Sequence, residues 1–294
     1  MTEKHYSYLF PDLCLLFAAT LWGIFWYPLR LFESAGMPAI WVTLAAFSTA
    51  FVVGLIATYK QRRQYLVHPL KLVLIALTTG WSNAAFLVAV VDGNAIRVIL
   101  LFYLSPIWTV IMGYFILKEK ISLQAMVVFV LAFLGAVVML WDPDAGFPWP
   151  QGLPDWLALS AGFTFAWSNV LIRSIQDINI SIKTTASWSG GIIIAGLWIL
   201  LTGGQLPEIP VLTWYYSMML GFFGIVFMTM AVQYGVTHMP VYRSAIILIF
   251  EILVTTVTVY WWAGENMTMI EWIGGGMVAI SAWLIARTGV DSEG

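Results

Sequence analysis

One stretch of the chain occurs twice, and this repetition constrains the fold more than any other feature. The segment Ala95–Trp141 aligns without a gap on Val241–Arg287, 146 positions later. Both copies place an arginine before a long apolar stretch, a glutamate after it, and a second apolar stretch beyond. A repeat of this length predicts a molecule built from two similar units. Five residue pairs are identical: Arg97 and Arg243, Thr109 and Thr255, Tyr114 and Tyr260, Glu119 and Glu265, and Ala136 and Ala282.

The composition places these units in a membrane. Hydrophobic residues make up 61% of the 294 residues, charged residues only 10%, and the mean hydropathy is +0.88. A soluble domain needs about 25% charged residues, so most of this surface must face lipid. The net charge of −2 says little about partners, but the sequence has no basic face that would suggest nucleic acid. With one cysteine, Cys14, and three scattered histidines, the sequence predicts neither a disulfide nor a metal site.

Ten apolar stretches are long enough to cross about 30 Å of hydrocarbon as helices. We expect the first span to be retained, because nothing in it resembles a cleaved signal peptide. A loop rich in Asp and Pro, residues 142–150, separates the halves and predicts two repeats, residues 1–146 and 147–294. The predicted spans are Leu9–Leu29, Pro38–Tyr59, Pro69–Val91, Ala95–Leu117, Ser122–Trp141, Leu153–Ile172, Ile182–Leu201, Leu212–Val236, Val241–Trp262 and Thr268–Ala286.

The positive charges predict the orientation. With the amino terminus inside, 11 of the 13 Lys and Arg residues fall on the cytoplasmic side, and only Arg30 and Arg97 fall outside. Short positive loops are retained in the cytoplasm, so both termini are expected there. Five spans in each half is an odd number, so the two halves must be inverted relative to each other. Transporters of this build bind substrate near the midplane, between the repeats.

Four sequence marks in the expected order resemble the drug/metabolite transporter superfamily, EamA type. They are Leu21-Trp22-Gly23, the run from Ala166 to Arg173, Leu104-Ser105-Pro106 before Lys118-Glu119, and Phe250-Glu251 before Gly264-Glu265. The resemblance covers nearly the whole chain and implies ten helices in two inverted repeats. Within this superfamily the chain most resembles the YddG-type exporters of aromatic amino acids. The chain departs from the family pattern at Ile252, where a proline usually follows the glutamate, so a proline-dependent kink is not implied there.

Polar and aromatic side chains in the spans are the candidates for a substrate cavity, because polar groups in hydrocarbon tend to face the protein interior. Helical spacing groups three residues on one face of the third span and four, Ser244, Leu248, Glu251 and Thr255, on one face of the ninth. The offset between the halves adds their counterparts. The predicted cavity residues are Trp22, Thr79, Asn83, Phe86, Phe102, Ser105, Trp167, Asn169, Thr229, Ser244 and Glu251.

Each candidate also has a structural interpretation. Hydroxyl side chains such as Thr79 and Ser105 commonly connect helices, and tryptophans commonly lie at the membrane interface. Gly274-Gly275-Gly276 favours close helix packing, with dimerisation as the alternative. Glu119 and Glu265 lie at span ends, where a water-exposed structural role is expected. The carboxyl of Glu251 could couple transport to protons, but the family carries a glutamate here across varied substrates, which favours a structural role.

These observations predict a transporter that exports aromatic and other neutral amino acids by alternating access. The alternative is a multidrug, lipophilic-cation or other metabolite exporter of the same superfamily. An enzyme is disfavoured, because no span carries paired acids or a His-x-x-x-His pattern, and a scaffold or receptor would not need the repeat. We expect a monomer, without cofactor or metal, in the inner membrane of a bacterium, with a dimer as the alternative.

Overall fold

The computed structural model describes residues 2–93, 95–141, 149–263 and 268–287, and every regular element within them is helical. The prediction of an all-α membrane protein is therefore confirmed. The predicted boundary between the repeats, at residues 146 and 147, lies outside this part of the chain, as does Glu265.

Each predicted span corresponds to a helical region of the described residues. Nine of these regions are long and apolar enough to cross a membrane, and the remaining one, Leu153–Arg173, has 21 residues and is more polar. In chain order the helices are Thr2–Ile24 and Trp26–Ser34; Ala39–Thr58 with the 3₁₀ helix Tyr59–Leu66; Pro69–Asp92; Ala95–Phe102 and Ser105–Met112 with the π-helix Gly113–Leu117; Leu123–Leu140; Leu153–Arg173; Ile180–Leu201; Val211–Met219, the π-helix Leu220–Ile225 and Val226–His238; Val241–Leu248 and Phe250–Thr258 with the π-helix Val259–Ala263; and Met269–Arg287.

The first span is longer than predicted. Pro11 lies inside a continuous helix, Thr2–Ile24, which begins before the predicted start at Leu9. The helix then breaks at Phe25, whose backbone N–H donates to the carbonyl of Trp22 at 3.0 Å. A second segment continues to Ser34, beyond the predicted end at Leu29.

The fourth and ninth spans are segmented in the same way, as the 146-residue repeat requires. Ala95–Phe102 corresponds to Val241–Leu248 at both ends, and the π-helix Gly113–Leu117 corresponds to Val259–Ala263 at both ends. The repeat seen in the sequence is therefore a repeat of structure, down to the individual helical segment.

Both of these spans break near their middle, but only one break contains a proline. Pro106 follows the break in the fourth span, where a ring without an N–H disfavours a continuous helix. The ninth span also breaks, at Ile249, although the position equivalent to Pro106 is Ile252. There the N–H of Ile252 donates to the carbonyl of Ile249 at 3.0 Å, a tighter turn than the α-helix. The ninth span thus breaks at this point without a proline.

The packing of the spans follows a two-fold pattern. The third span packs on the sixth as the eighth packs on the first, and the fourth packs on the sixth as the ninth packs on the first. The second span packs on the seventh, the fourth on the ninth and the fifth on the tenth, so each of these pairs is its own counterpart in the other repeat. Swapping each span for the one five places later therefore preserves these packed pairs. Because an odd number of crossings separates equivalent spans, this arrangement is compatible with two inverted repeats.

Glycines allow the fifth and tenth spans to approach closely. A Cβ added at Gly274 would lie 2.7 Å from the carbonyl oxygen of Gly135, and one added at Gly135 would lie 2.8 Å from that of Gly274. A Cβ at Gly275 would lie 2.8 Å from Leu253, whereas one at Gly276 would meet nothing within 4 Å. Two glycines of the triplet therefore serve helix packing within the chain.

Candidate functional site

The predicted face of the third span contacts the fourth and sixth spans. The hydroxyls of Thr79 and Ser168 share a hydrogen bond of 2.7 Å, so Thr79 connects the third and sixth helices. The amide nitrogen of Asn83 donates to the carbonyl of Thr79 at 2.8 Å. One turn further on, the ring of Phe86 lies 4.6 Å from that of Phe102 on the fourth span.

Aromatic rings converge on Phe102, next to the break of the fourth span. Its centroid lies 5.6 Å from Tyr103 and 5.7 Å from Phe165, in addition to Phe86. These distances are in the range of favourable edge-to-face and offset contacts. Phe86, Phe102 and Phe165 all keep part of their surface exposed. We call this group, with Tyr103, the aromatic cluster.

The aromatic cluster adjoins the mid-membrane carboxyl. The hydroxyl of Tyr103 interacts with the carboxyl of Glu251, so the breaks of the fourth and ninth spans meet there. Glu251 keeps part of its surface exposed although it lies in mid-span. A carboxyl at this depth is costly against lipid and is expected to face a polar interior space.

The two matching tryptophans occupy equivalent positions on the first and sixth spans. Trp22 lies 5.3 Å from Phe25, and Trp167 lies 6.1 Å from Phe163. Both rings are half-buried and pack at the edge of the largest apolar core.

Four predicted cavity residues are occupied in packing in this conformation. Ser105, Asn169 and Ser244 are buried, and the hydroxyl of Ser244 donates to its own helix at Val241, 2.9 Å away. Thr229 accepts a 2.9 Å hydrogen bond from the indole of the buried Trp188. The participation of these four in a substrate site stays a prediction.

A pocket of about 80 Å³ lies between the fourth and fifth spans. It is lined mostly by aliphatic side chains together with Tyr103, the partner of Glu251, and none of the eleven predicted cavity residues lines it. The lining residues are Leu100, Leu101, Tyr103, Leu104, Phe133, Ala136, Val137, Leu140 and Trp141.

One end of the bundle, which we call the Arg243 end, is held together by charged side chains that cap helix termini. Glu119 accepts from the backbone N–H of Val241 at 2.8 Å, at the start of the ninth span, and from Arg173 at 3.1 Å. Arg173 also donates to the carbonyl of Thr237 at 2.5 Å, at the end of the eighth span. An anion at a helix start and a cation at a helix end both match the helix dipole. Glu119 is therefore partly buried and bonded, which corrects the expectation of a water-exposed residue.

Lys183 caps a further helix at this end. Its side chain is fully buried, and the ammonium donates to the carbonyls of Ile172 and Ile175 at 3.1 and 3.0 Å. It also donates to the hydroxyl of Thr237 at 2.7 Å. Three hydrogen bonds satisfy all three donors of the lysine ammonium, and they offset the cost of removing it from water.

Two ion pairs occupy equivalent places in the two repeats. In the Arg243 pair, the guanidinium binds Asp12 through two hydrogen bonds of 3.0 and 2.5 Å, and the two side chains are 5% and 3% exposed. In the Arg97 pair, at the opposite end, Arg97 lies 3.4 Å from Asp155 and donates to Gln151 at 2.8 Å; its side chain is 15% exposed.

Sequence reasoning did not identify several of these residues. The repeat singled out Arg97 and Arg243 but not their aspartates, which lie on the first and sixth spans, where the repeat is weaker. Tyr103 had no signal, because its equivalent in the other repeat is Ile249. Lys183 was counted only among the positive charges that set the orientation.

Comparison with known proteins supports the assignment to a transporter family. The model of the EamA-like transporter family matches the chain twice, over residues 9–141 and 152–287. The uncharacterized transporter PA0485 of Pseudomonas aeruginosa is 27% identical over 156 residues, which are 50% of this chain and 50% of that protein. The match thus spans about half the length of this relative. A protein of known crystal structure shares the fold, with a TM-score of 0.73 at 16% identity over 95% of this chain and 98% of its own.

Proposed function

Because the chain belongs to the EamA-like transporter family, we propose that it exports amino acids, aromatic and other neutral ones, by alternating access between its two repeats. Transport itself follows from the family. The substrate class and the direction from cytoplasm to periplasm are our proposal, as is the bacterial inner membrane with both termini in the cytoplasm.

The aromatic cluster beside Glu251 is the observation that carries the substrate proposal. The partly exposed rings of Phe86, Phe102 and Phe165 suit the apolar body of an amino acid. The amide oxygen of Asn83, which no described residue binds, offers a hydrogen-bond acceptor to the polar head. Each ring contact contributes roughly 0.5–1.5 kcal/mol beyond burial, about tenfold in affinity at most. Selectivity among neutral amino acids should therefore be loose.

Glu251 is consistent with two functions. In the first, its contact with Tyr103 connects the breaks of the fourth and ninth spans, which is a structural role. In the second, a carboxyl beside aromatic rings would suit a lipophilic cation, since ring faces attract cations. The second function is that of a multidrug exporter and is the alternative to our proposal.

Flux through the purified protein in liposomes separates these functions. We expect uptake of labelled phenylalanine, tryptophan and threonine. We expect Phe102→Ala to lower phenylalanine flux by about tenfold, because it removes the central ring of the cluster. Phe223→Ala is the matched control, since Phe223 is 61% exposed on the eighth span and should leave flux unchanged.

Two results would contradict the proposal. Movement of a tetraphenylphosphonium cation with none of the amino acids would identify a lipophilic-cation exporter instead. Equal losses of flux in Phe102→Ala and Phe223→Ala would mean that the aromatic cluster does not contact the substrate.

A further inference from the structure

The Arg243 pair and the Arg97 pair are related by the repeat. Arg243 lies 146 residues after Arg97, and both arginines lie in the first turn of equivalent helices, Val241–Leu248 and Ala95–Phe102. Each arginine binds an aspartate on the helix that the packing symmetry assigns to it, the first span for Arg243 and the sixth for Arg97.

Each pair connects one repeat to the other. The first and fourth spans belong to the first repeat, and the sixth and ninth spans belong to the second. The Arg243 pair therefore joins the repeats at one end of the bundle, and the Arg97 pair joins them at the opposite end. A rocking motion of one repeat against the other would shorten the ion pair at one end while lengthening the pair at the other.

The two pairs differ in the way such a motion requires. The Arg243 pair is bidentate and almost completely buried. In the Arg97 pair the two side chains lie 3.4 Å apart, and Arg97 is 15% exposed although Asp155 is only 5% exposed. The guanidinium of Arg243 also donates to the carbonyl of Ala286 at 3.3 Å, so it holds the end of the tenth span as well.

We infer that these are alternating gating pairs: the Arg243 pair closes its end of the cavity in this conformation, and the Arg97 pair closes the opposite end when the repeats exchange conformations. This inference rests on the proposed alternating access. It assigns to Asp12, Arg97, Asp155 and Arg243 the role of setting which side of the membrane the substrate site faces.

Distances between spin labels in the absence of substrate test this inference. The background is Cys14→Ser, which removes the single cysteine. Labels at Leu9 and Arg287 span the first and tenth helices at the Arg243 end. Labels at Trp141 and Leu153 span the equivalent fifth and sixth helices at the Arg97 end. All four positions are exposed, and the two label pairs exchange under the repeat.

Asp12→Asn is the test variant, and Asp155→Asn is its matched control. In Asp12→Asn we expect a second population of molecules, in which the distance between the labels at positions 9 and 287 is longer and the distance between those at positions 141 and 153 is shorter. Asp155→Asn should leave the 9–287 distance as in the unmodified protein. Exchange of the charges by Asp12→Arg with Arg243→Asp should restore the original distances. If Asp12→Asn fails to fold, Arg243→Lys replaces it, since lysine keeps the charge but not the bidentate contact.

The outcomes are decisive in both directions. Unchanged distances in folded Asp12→Asn, or a longer 9–287 distance without a shorter 141–153 distance, would reduce the pairs to structural contacts. The readout needs no substrate, so it is separable from the substrate proposal. Shifted distances in a protein that moves no amino acid would support the gating pairs and overturn the substrate class.

Discussion

The segments Val241–Leu248 and Ala95–Phe102 are the same element in two repeats, yet they are packed differently. Every residue from Arg243 to Ile249 is buried, whereas only Val98 and Leu101 are buried among the corresponding residues 97–103. Both segments are apolar helices with an arginine in the first turn, so their own sequences do not explain the difference. The difference therefore lies in how the neighbouring spans pack against each segment.

The surroundings differ because the charged caps gather at one end. The Arg243 end has three capping side chains, Glu119, Arg173 and Lys183, each bonded to the terminus of a neighbouring helix. The segment Lys118-Glu119-Lys120 corresponds to Gly264-Glu265-Asn266 in the second half, where no lysine flanks the glutamate. The two repeats thus share their helices but not the charges at their helix ends.

The largest expected effect comes from removing each arginine in turn. Asp12 has no partner among the described residues apart from Arg243, so Arg243→Met leaves a buried charge uncompensated, at a cost of about 3–5 kcal/mol. Asp155 keeps the backbone N–H of Gln151, 2.8 Å away, so Arg97→Met should cost about 1.5–3 kcal/mol. Equilibrium unfolding in mixed micelles measures both.

Arg30→Met is the control for this comparison, because Arg30 is exposed near the end of the first span. This variant should have the same unfolding free energy as the unmodified protein. Equal losses of stability in Arg243→Met and Arg97→Met would mean that the difference in burial between the two ends has no energetic weight.

The sequence predicted the ten spans and the repeat because both depend on local patterns of apolar and charged residues. It did not predict the difference between the ends, because the two copies carry the same pattern and burial depends on which conformation is adopted. Asp12 was not identified as the partner of Arg243, since the two residues lie 231 positions apart and no local pattern reports such a contact. Thr79 was grouped correctly with Asn83 by helical spacing, but its bond to Ser168 depends on tertiary packing.

A smaller effect should appear in backbone hydrogen exchange. The amides of Val241–Leu248 lie in the packed end, and the first of them is bound by Glu119. We expect them to exchange about tenfold more slowly than those of Ala95–Phe102, because local opening at the packed end must break more contacts. Mass spectrometry of peptides that cover the two segments makes the comparison within one sample. Equal rates would indicate that the two segments open together and that the burial difference does not persist in the membrane.

The smallest effect is expected at the rim of the Arg243 end, where a hydrogen-bonded pair of side chains is exposed. The imidazole of His68 lies 2.9 Å from both oxygens of Asp177, between the loops that follow the second and sixth spans. The hydrogen bond from His68 lowers the pKa of Asp177 below its ordinary value. A lowered carboxyl pKa adds stability that is present above the ordinary pKa, near 4, and is lost as the pH falls through the lowered value.

Asp177→Asn should therefore unfold slightly more easily than the unmodified protein at neutral pH and converge with it at low pH. Because both side chains are largely in solvent, with 32% and 59% exposed, the difference at neutral pH should be much smaller than in Arg243→Met. Unfolding midpoints measured at several pH values check this order. A loss in Asp177→Asn as large as that in Arg243→Met would mean that the exposed rim, rather than the buried pair, holds this end closed.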